Sequence, residues 1–202
     1  EVGTELLGND VTGRLCIDAS WPGMMRTVYG DHERFIQTYL STYPGRYFTG
    51  DGCHRDQDGY YWITGRVDDV LNVAGHRLST GSIEAALAGH AAVAECAVIG
   101  VADDFKGQIP RGLVVLKGGY DAASQGEQIC KELVQRVRAE VGAVASLKQV
   151  DIVAGLPKTR SGKMLRKTMR EMADGKVPSI PGTIEDVSVL DALKETLANT
   201  VH

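Results

Sequence analysis

Lys163 closes a short polar run, Thr159-Arg160-Ser161-Gly162-Lys163, between an apolar strand pattern and an amphipathic helical one. A lysine in such a loop is a mobile point charge suited to an anionic ligand. Arg160 lies before it and Arg166 and Lys167 lie after it. Cations at a helix N-terminus oppose the dipole, and a bound phosphate there would relieve the conflict. The plainer alternative is a basic surface loop. Upstream, Gly65-Arg66-Val67-Asp68-Asp69 runs on to Asn72-Val73-Ala74-Gly75-His76-Arg77. A guanidinium such as Arg66 can hold a ribose hydroxyl or a phosphate oxygen in fixed geometry, or it can pair with Asp68 or Asp69 at the surface. Gly75 allows a backbone turn or the close approach of a ligand. Arg77 precedes a helix start, where its charge gains nothing from the dipole, and this favours a ligand phosphate. Asp51 follows a strand and a glycine. Its carboxylate can accept two hydrogen bonds from a ribose diol, or simply form a turn.

Other candidates carry less. His76 is either a general base or a satisfied structural histidine. His90, after Gly89, is expected to be hydrogen-bonded at a helix C-terminus, with a carbonyl-lined cation site as the alternative. Arg136 and Arg138 lie off the apolar stripe of their helix and read as a solvated face. Cys16, Cys53, Cys96 and Cys130 form no CxxC pair and read as reduced structural thiols. The metal-ligand set is empty.

The elements that must position these residues fall into two stretches. Residues 1–68 read as β-rich with long loops: a strand at Gly13–Ile17, a helix over Arg34–Leu40, a strand into a turn over Tyr47–Gly52, and a hairpin opened by Asp58-Gly59 before Tyr60–Thr64. This stretch has too little apolar material to close its own core and is expected to pack on something outside it. Residues 69–202 alternate helices and strands. Ser79 or Thr80 caps a helix bearing Ile83 and Leu87, with Glu84 in its early turn and Gly89 at its end. Strands follow at Val93–Val101 and Gly112–Leu116. Ile129, Leu133, Val137 and Val141 mark an amphipathic helix stopping at Gly142. A strand over Val150–Val153, a helix through Leu165, Met169 and Met172 to Gly175, and a short helix through Val189, Leu193 and Leu197 complete the pattern. The fold class is α+β, with a boundary and candidate hinge at Asp68 and Asp69.

The composition excludes several roles. A net charge of −4 over 202 residues leaves no basic footprint for nucleic acid. No apolar run reaches the roughly 18 residues needed to span a bilayer. The chain opens on Glu1-Val2-Gly3-Thr4, without a basic-then-apolar signal segment or an initiating Met, as expected of a processed or partial chain.

Three segments, in order, resemble the acyl-CoA synthetases of the adenylate-forming superfamily. Tyr47-Phe48-Thr49-Gly50-Asp51 is similar to the family's ribose-binding motif. The run from Gly65 to Arg77 is similar to its hinge motif, and Leu156-Pro157-Lys158-Thr159-Arg160-Ser161-Gly162-Lys163 to its C-terminal lysine motif. Lys163-Met164-Leu165-Arg166 and Thr183-Ile184-Glu185-Asp186 look closest to the short-chain branch, acetyl-CoA and propionyl-CoA synthetases, with a lean toward propionyl. The resemblance implies that residues 1–68 end a large N-terminal adenylation domain and that 69–202 form a small mobile C-terminal domain. It implies a two-step reaction: a carboxylate attacks the α-phosphate of ATP, and the thiol of CoA then displaces AMP. Asp51 would hold the ribose hydroxyls and Arg66 the ribose and phosphate. Arg77 would contact the ATP phosphates, and Lys163 would bridge the carboxylate and the developing phosphoryl charge. Gly75 would line the pantetheine path, Arg138 would meet the CoA 3′-phosphate, and Asp68 would be the hinge. ATP with Mg2+, CoA and a short-chain acid are the implied ligands. The N-terminal domain and a lysine acyltransferase or deacylase acting at Lys163 are the implied partners.

The sequence departs from the family in three places. Phe48 stands where many members have Arg. Gly142-Ala143-Val144-Ala145 lacks the usual proline, and no Ser/Thr/Gly-rich phosphate loop lies upstream of Asp51. The chain alone is therefore expected to lack full ligase activity. Two rival readings are a docking module regulated by acylation of Lys163, and a ligase with a carrier-protein acceptor. The expected compartment is the cytoplasm, or a mitochondrial matrix.

Overall fold

A computed structural model describes residues 3–198. The chain divides into two compact units, Glu1–Asp68 and Asp69–His202.

The first unit is a three-stranded antiparallel sheet in the order β1-β2-β3, with β1 at Val11–Ile17, β2 at Tyr47–Arg55 and β3 at Tyr61–Arg66. Strand β2 does not stop at Gly52 as its glycines suggest. It bulges between Gly52 and Cys53 and continues. The turn into β3 is held by Asp56, whose carboxylate accepts from the backbone N–H of Asp58 and Tyr60 and from the Trp62 indole. Helix α1 (His32–Tyr39) is capped by Asp31 and lies on β2 through rings. Tyr39 stacks on Tyr47 at 4.9 Å, and Trp21 meets Tyr47 edge-on. Phe48, the departure from the family motif, packs edge-on against Tyr43. Among the described residues of this unit, Phe35 and Cys53 are the buried apolar ones, whereas Tyr60, Tyr61, Trp62 and Ile63 are exposed.

The second unit has three layers. Its sheet runs β5-β4-β7-β6, with β8 alongside β7. The strands are β4 (Val70–Val73), β5 (His76–Ser79), β6 (Val93–Asp103), β7 (Gly107–Leu116) and β8 (Gln149–Ile152). β7 and β8 pair in parallel, and the other strand pairs of the described residues are antiparallel. Successive residues of a strand face opposite ways, so the long apolar strand β6 serves two cores. Val98 joins Ile83, Leu87, Leu133 and Val137 under helices α2 (Thr80–Ala88) and α3 (Ala122–Glu140). Ala97, Ile99 and Val101 join Met169, Leu193 and Leu197 under α4 (Arg166–Ala173) and α5 (Ser188–Ala198). Ser79 caps α2 through Gly81 N–H, and Asp121 caps α3 through the N–H groups of Ala123 and Ser124. Among the described residues, no helix is long and apolar enough to cross a membrane.

Candidate functional site

The seven residues singled out above fall on both units. Asp51, Arg66 and Asp68 lie on the first and come together. Asp51 and Arg66 are directly opposed across β2 and β3. Arg66 Nε donates to Asp68 Oδ1 at 3.0 Å, and its Nη1 donates to the Thr49 carbonyl at 3.0 Å. The same nitrogen lies 3.6 Å from Asp51 Oδ1. The pairing with Asp68 and the ligand role are compatible, because two carboxylates and a carbonyl fix the guanidinium plane while its side chain stays 47% exposed. Gly50 makes the cradle. Its φ is +81°, and a Cβ there would lie 2.7 Å from two guanidinium nitrogens, so no other residue fits without moving Arg66. Among the described residues, the Asp51 carboxylate accepts no hydrogen bond and meets Arg66 as a loose ion pair at 3.6 Å.

On the second unit, the stretch from Asn72 to Arg77 is a hairpin that the sequence reading missed. Val73 pairs with His76, and Ala74 and Gly75 form the two-residue turn with φ of +50° and +86°. Positive φ at both central residues matches the right-handed twist of the flanking strands. Gly75 sits at the tip with no atom near its missing Cβ. Ala74 N–H donates to the Lys106 carbonyl, tying the tip to the β6–β7 turn. Arg77 faces Asn72 across the hairpin and is exposed. Among the described residues, no carboxylate pairs with it.

Lys163 ends a small closed loop. Thr159 N–H donates to Lys163 O at 2.9 Å, Gly162 N–H to Thr159 O at 2.8 Å, and Lys163 N–H to Thr159 Oγ1 at 3.1 Å. Gly162 has φ +81°. These bonds close the loop on itself, and the Lys163 side chain is exposed with no ion-pair partner among the described residues.

The expectation that an anionic ligand relieves the cations at the start of α4 needs correction. Arg166 is paired within the protein. Its Nε and Nη2 donate to the two oxygens of Glu84 on α2, at 3.0 and 2.8 Å, and Asp69 lies 4.0 Å from Nη1. Burial works to lower the Arg166 pKa, but the hydrogen bonds and charge of Glu84, with Asp69, hold it above its ordinary value. Lys167 is 3.7 Å from Glu171. Glu84 thus has a longer reach than its helix-dipole role implies. The signal was the coexistence of an isolated carboxylate and an isolated arginine in distant segments, which spacing cannot pair.

Arg138 is exposed in the last turn of α3. It lines an open cleft of about 460 Å³ with Val134, Gly142, Ser146 and Lys148. His90 is a structural histidine. Its Nδ1 accepts from Ala92 N–H at 3.2 Å, and its Nε2 is 3.0 Å from Glu132. His76 is exposed beside the hairpin turn. The four thiols are free. Burial pushes Cys96 up to about 11, Glu84 adding to the effect and Arg166 opposing it, so it is a protonated packing residue at neutral pH.

Residues 82–163 match the family described as the AMP-binding enzyme C-terminal domain. The chain is 54% identical over 190 residues to the acetyl-coenzyme A synthetase of Parvibaculum lavamentivorans, an alignment covering 93% of this chain and 29% of that protein. It is 51% identical over 197 residues to the acetyl-coenzyme A synthetase of Bradyrhizobium diazoefficiens, covering 96% of this chain and 30% of that protein. The chain thus spans about 30% of the length of these relatives. The acetoacetyl-CoA synthetase of Streptomyces lividans shares its fold, with a TM-score of 0.78 at 22% identity over 94% of this chain and 28% of that one.

Proposed function

We propose, from the AMP-binding enzyme C-terminal domain that this chain carries, that it supplies one side of the active site of an AMP-forming acid–CoA ligase. The relatives' names put acetate ahead of propionate as the acid. The observation that carries the reading is the state of the Lys163 loop. Arg166 and Lys167 beside it lie against carboxylates, while Lys163 is exposed and lacks an ion-pair partner among the described residues. An unpaired ammonium on a hydrogen-bonded loop suits charge that develops in a transition state, the situation in which preorganised electrostatics accelerate most.

In the first half-reaction, Lys163 bridges the acid carboxylate and the α-phosphoryl oxygens. Asp51 accepts from the ribose diol, Arg66 supports ribose and phosphate, and Arg77 meets the ATP phosphates. Mg2+ carried by ATP would offset phosphate charge. In the second, the small domain turns about Asp68. Gly75 lines the path of the pantetheine arm, where the absence of a side chain lets backbone approach the thiol carrier, and Arg138 meets the 3′-phosphate of CoA. One domain then serves two reactions by presenting two faces. An N-terminal domain supplying the phosphate loop and acyl pocket is the partner this reading requires. Exposed Lys163 is also open to a lysine acyltransferase, and acylation would remove the charge the first step needs. A cytoplasmic or matrix setting fits this chemistry.

The test is Lys163→Ala in a protein of the relatives' full length. Acid-dependent ATP–pyrophosphate exchange should fall roughly 100- to 1000-fold, while thioester formation from supplied acyl-adenylate survives. Unchanged exchange would reduce Lys163 to a surface charge. This chain alone should show negligible exchange, and robust exchange by it would refute the one-sided site.

A further inference from the structure

Lys163 is the flexible end of a loop, and something must hold the root of that loop. Residues on both flanks are tied to the same strand. On the N-terminal flank, Lys158 Nζ donates to Glu95 Oε1 of β6 at 2.6 Å. On the C-terminal flank, Arg166 makes the two-pronged contact with Glu84 already described. Glu84 Oε1 also accepts the backbone N–H of Val98, again on β6, at 2.8 Å. The side chains of Glu84 and Arg166 are only 16% and 26% exposed. A third support is backbone: Arg160 N–H donates to Thr183 O, and Glu185 N–H donates to Lys158 O.

We propose that Glu84 and Glu95 are positioning residues for Lys163, fixing both flanks of its loop to β6 through Arg166 and Lys158. Neither carboxylate touches substrate in this arrangement. Glu84 binds a planar guanidinium with both oxygens, which fixes direction as well as distance, and a lysine at 166 could not reproduce this. The consequence for chemistry is geometric. A lysine on a four-carbon stem already has wide freedom, and loosening its root adds to it. A misplacement of roughly 1 Å at a catalytic group can cost about 100-fold in rate. The acidic anchors also neutralise Lys158 and Arg166, so those two cations do not compete with Lys163 for an anion.

This inference rests on the proposed role of Lys163 in the adenylation half-reaction. The experiment compares Glu84→Gln, Glu95→Gln and the exposed-pair control Glu127→Gln in a protein of the relatives' full length. Glu84→Gln should lower kcat for acid-dependent pyrophosphate exchange roughly 10- to 100-fold with little change in KM for ATP, and should spare thioester formation from supplied acyl-adenylate. Glu95→Gln should act in the same direction and more weakly, because Glu95 is more exposed. Glu127→Gln should do nothing. Arg166→Lys should match Glu84→Gln, and the double variant should be no worse than either single one. In this chain itself, hydrogen exchange over residues 157–165 should quicken in Glu84→Gln while β6 and β7 stay protected. Two results would overturn the proposal. One is an unaltered exchange kcat in both glutamate variants. The other is a parallel fall of both half-reactions with the melting temperature, which would mean that the carboxylates only hold the fold. Lys163→Ala in the same assay separates the failures. If it leaves adenylation intact, the functional reading falls, and amide exchange at 157–165 alone decides whether the anchors hold the loop.

Discussion

The two units bury their apolar residues to very different degrees. In Asp69–His202 both faces of the sheet are covered, and Ile83, Leu87, Val98, Leu113, Leu133, Met169, Leu193 and Leu197 are all but sealed from water. In Glu1–Asp68 the sheet has one short helix against it, and four consecutive apolar residues, Tyr60 to Ile63, are 58–69% exposed. Yet this unit holds its candidate ligand groups firmly: Arg66 is fixed by three oxygens over Gly50. The comparison teaches that a local polar cluster can be well ordered by hairpin register without a core of its own. It also teaches that exposed aromatics on an edge strand mark a surface built to be covered. The relatives are more than three times as long as the segment matched.

The contrast is broken most directly by cutting between Asp68 and Asp69. Residues 69–202 alone should unfold cooperatively and give a dispersed NMR spectrum. Residues 1–68 alone should not, because Phe35 and Cys53, the buried apolar side chains among the described residues there, cannot offset the chain entropy of the unit. A dispersed spectrum from 1–68 would sink the comparison. Next in size is Arg111→Met. Arg111 is 1% exposed, donates to Asp151 at 2.7 Å, and caps α5 at the carbonyls of Thr196 and Leu197. Removing it leaves the Asp151 charge with the neutral Gln149 amide in place of a cation and takes the guanidinium from the helix end, at a cost of about 3–5 kcal/mol in urea unfolding of the second unit. A loss under 1 kcal/mol would show that α5 is held by its leucines alone.

Two truncations of one chemistry sharpen the contrast. Leu133→Ala opens a cavity at a fully buried site and should cost about 2–5 kcal/mol. Ile63→Ala, at a site 58% exposed, should stay within about 0.5 kcal/mol in this chain. In a protein of the relatives' length, the same Ile63→Ala should become clearly destabilising if an N-terminal domain covers β3. Equal effects of Ile63→Ala in both lengths would remove that cover.

Much of this was legible in advance, and the failures have physical causes. The helices of the second unit carry a period that survives in sequence, so α2, α3, α4 and α5 are found near their predicted places. The hairpin of β4 and β5 was missed because its strands are four residues each and its turn pairs Gly75 with Ala74, a residue seldom found at positive φ. Strand β2 was cut short because Gly50 and Gly52 read as a turn. Gly50 instead makes room for the Arg66 guanidinium, a long-range reason that no window of sequence contains. The same holds for Glu84 and Arg166. Each looked like a local dipole term, favourable or not, and each is answered by the other across the fold.

The smallest effect lies at two exposed carboxylates, one per unit. Asp121 caps α3 through Ser124 and Ala123, and these hydrogen bonds, led by the Ser124 side chain, hold its pKa below the ordinary value. Asp56 organises the β2–β3 turn, and the Trp62 indole leads the groups that depress it. A carboxyl whose folded pKa is lowered stabilises the fold fully above its unfolded value. That contribution is lost as pH falls through the folded pKa. For both residues the window therefore opens at about pH 4 and extends below it. The two should report to different places. Asp121→Ala should lower the melting temperature of the second unit at pH 7, and the gap from the parent should close as pH drops below about 4. Asp56→Asn should leave that melting temperature alone and instead quicken amide exchange in the turn at Asp58 and Tyr60. A pH-independent gap for Asp121→Ala would mean that the cap acts through packing rather than charge. A melting shift of the second unit in Asp56→Asn would mean that the stabilities of the two units are coupled.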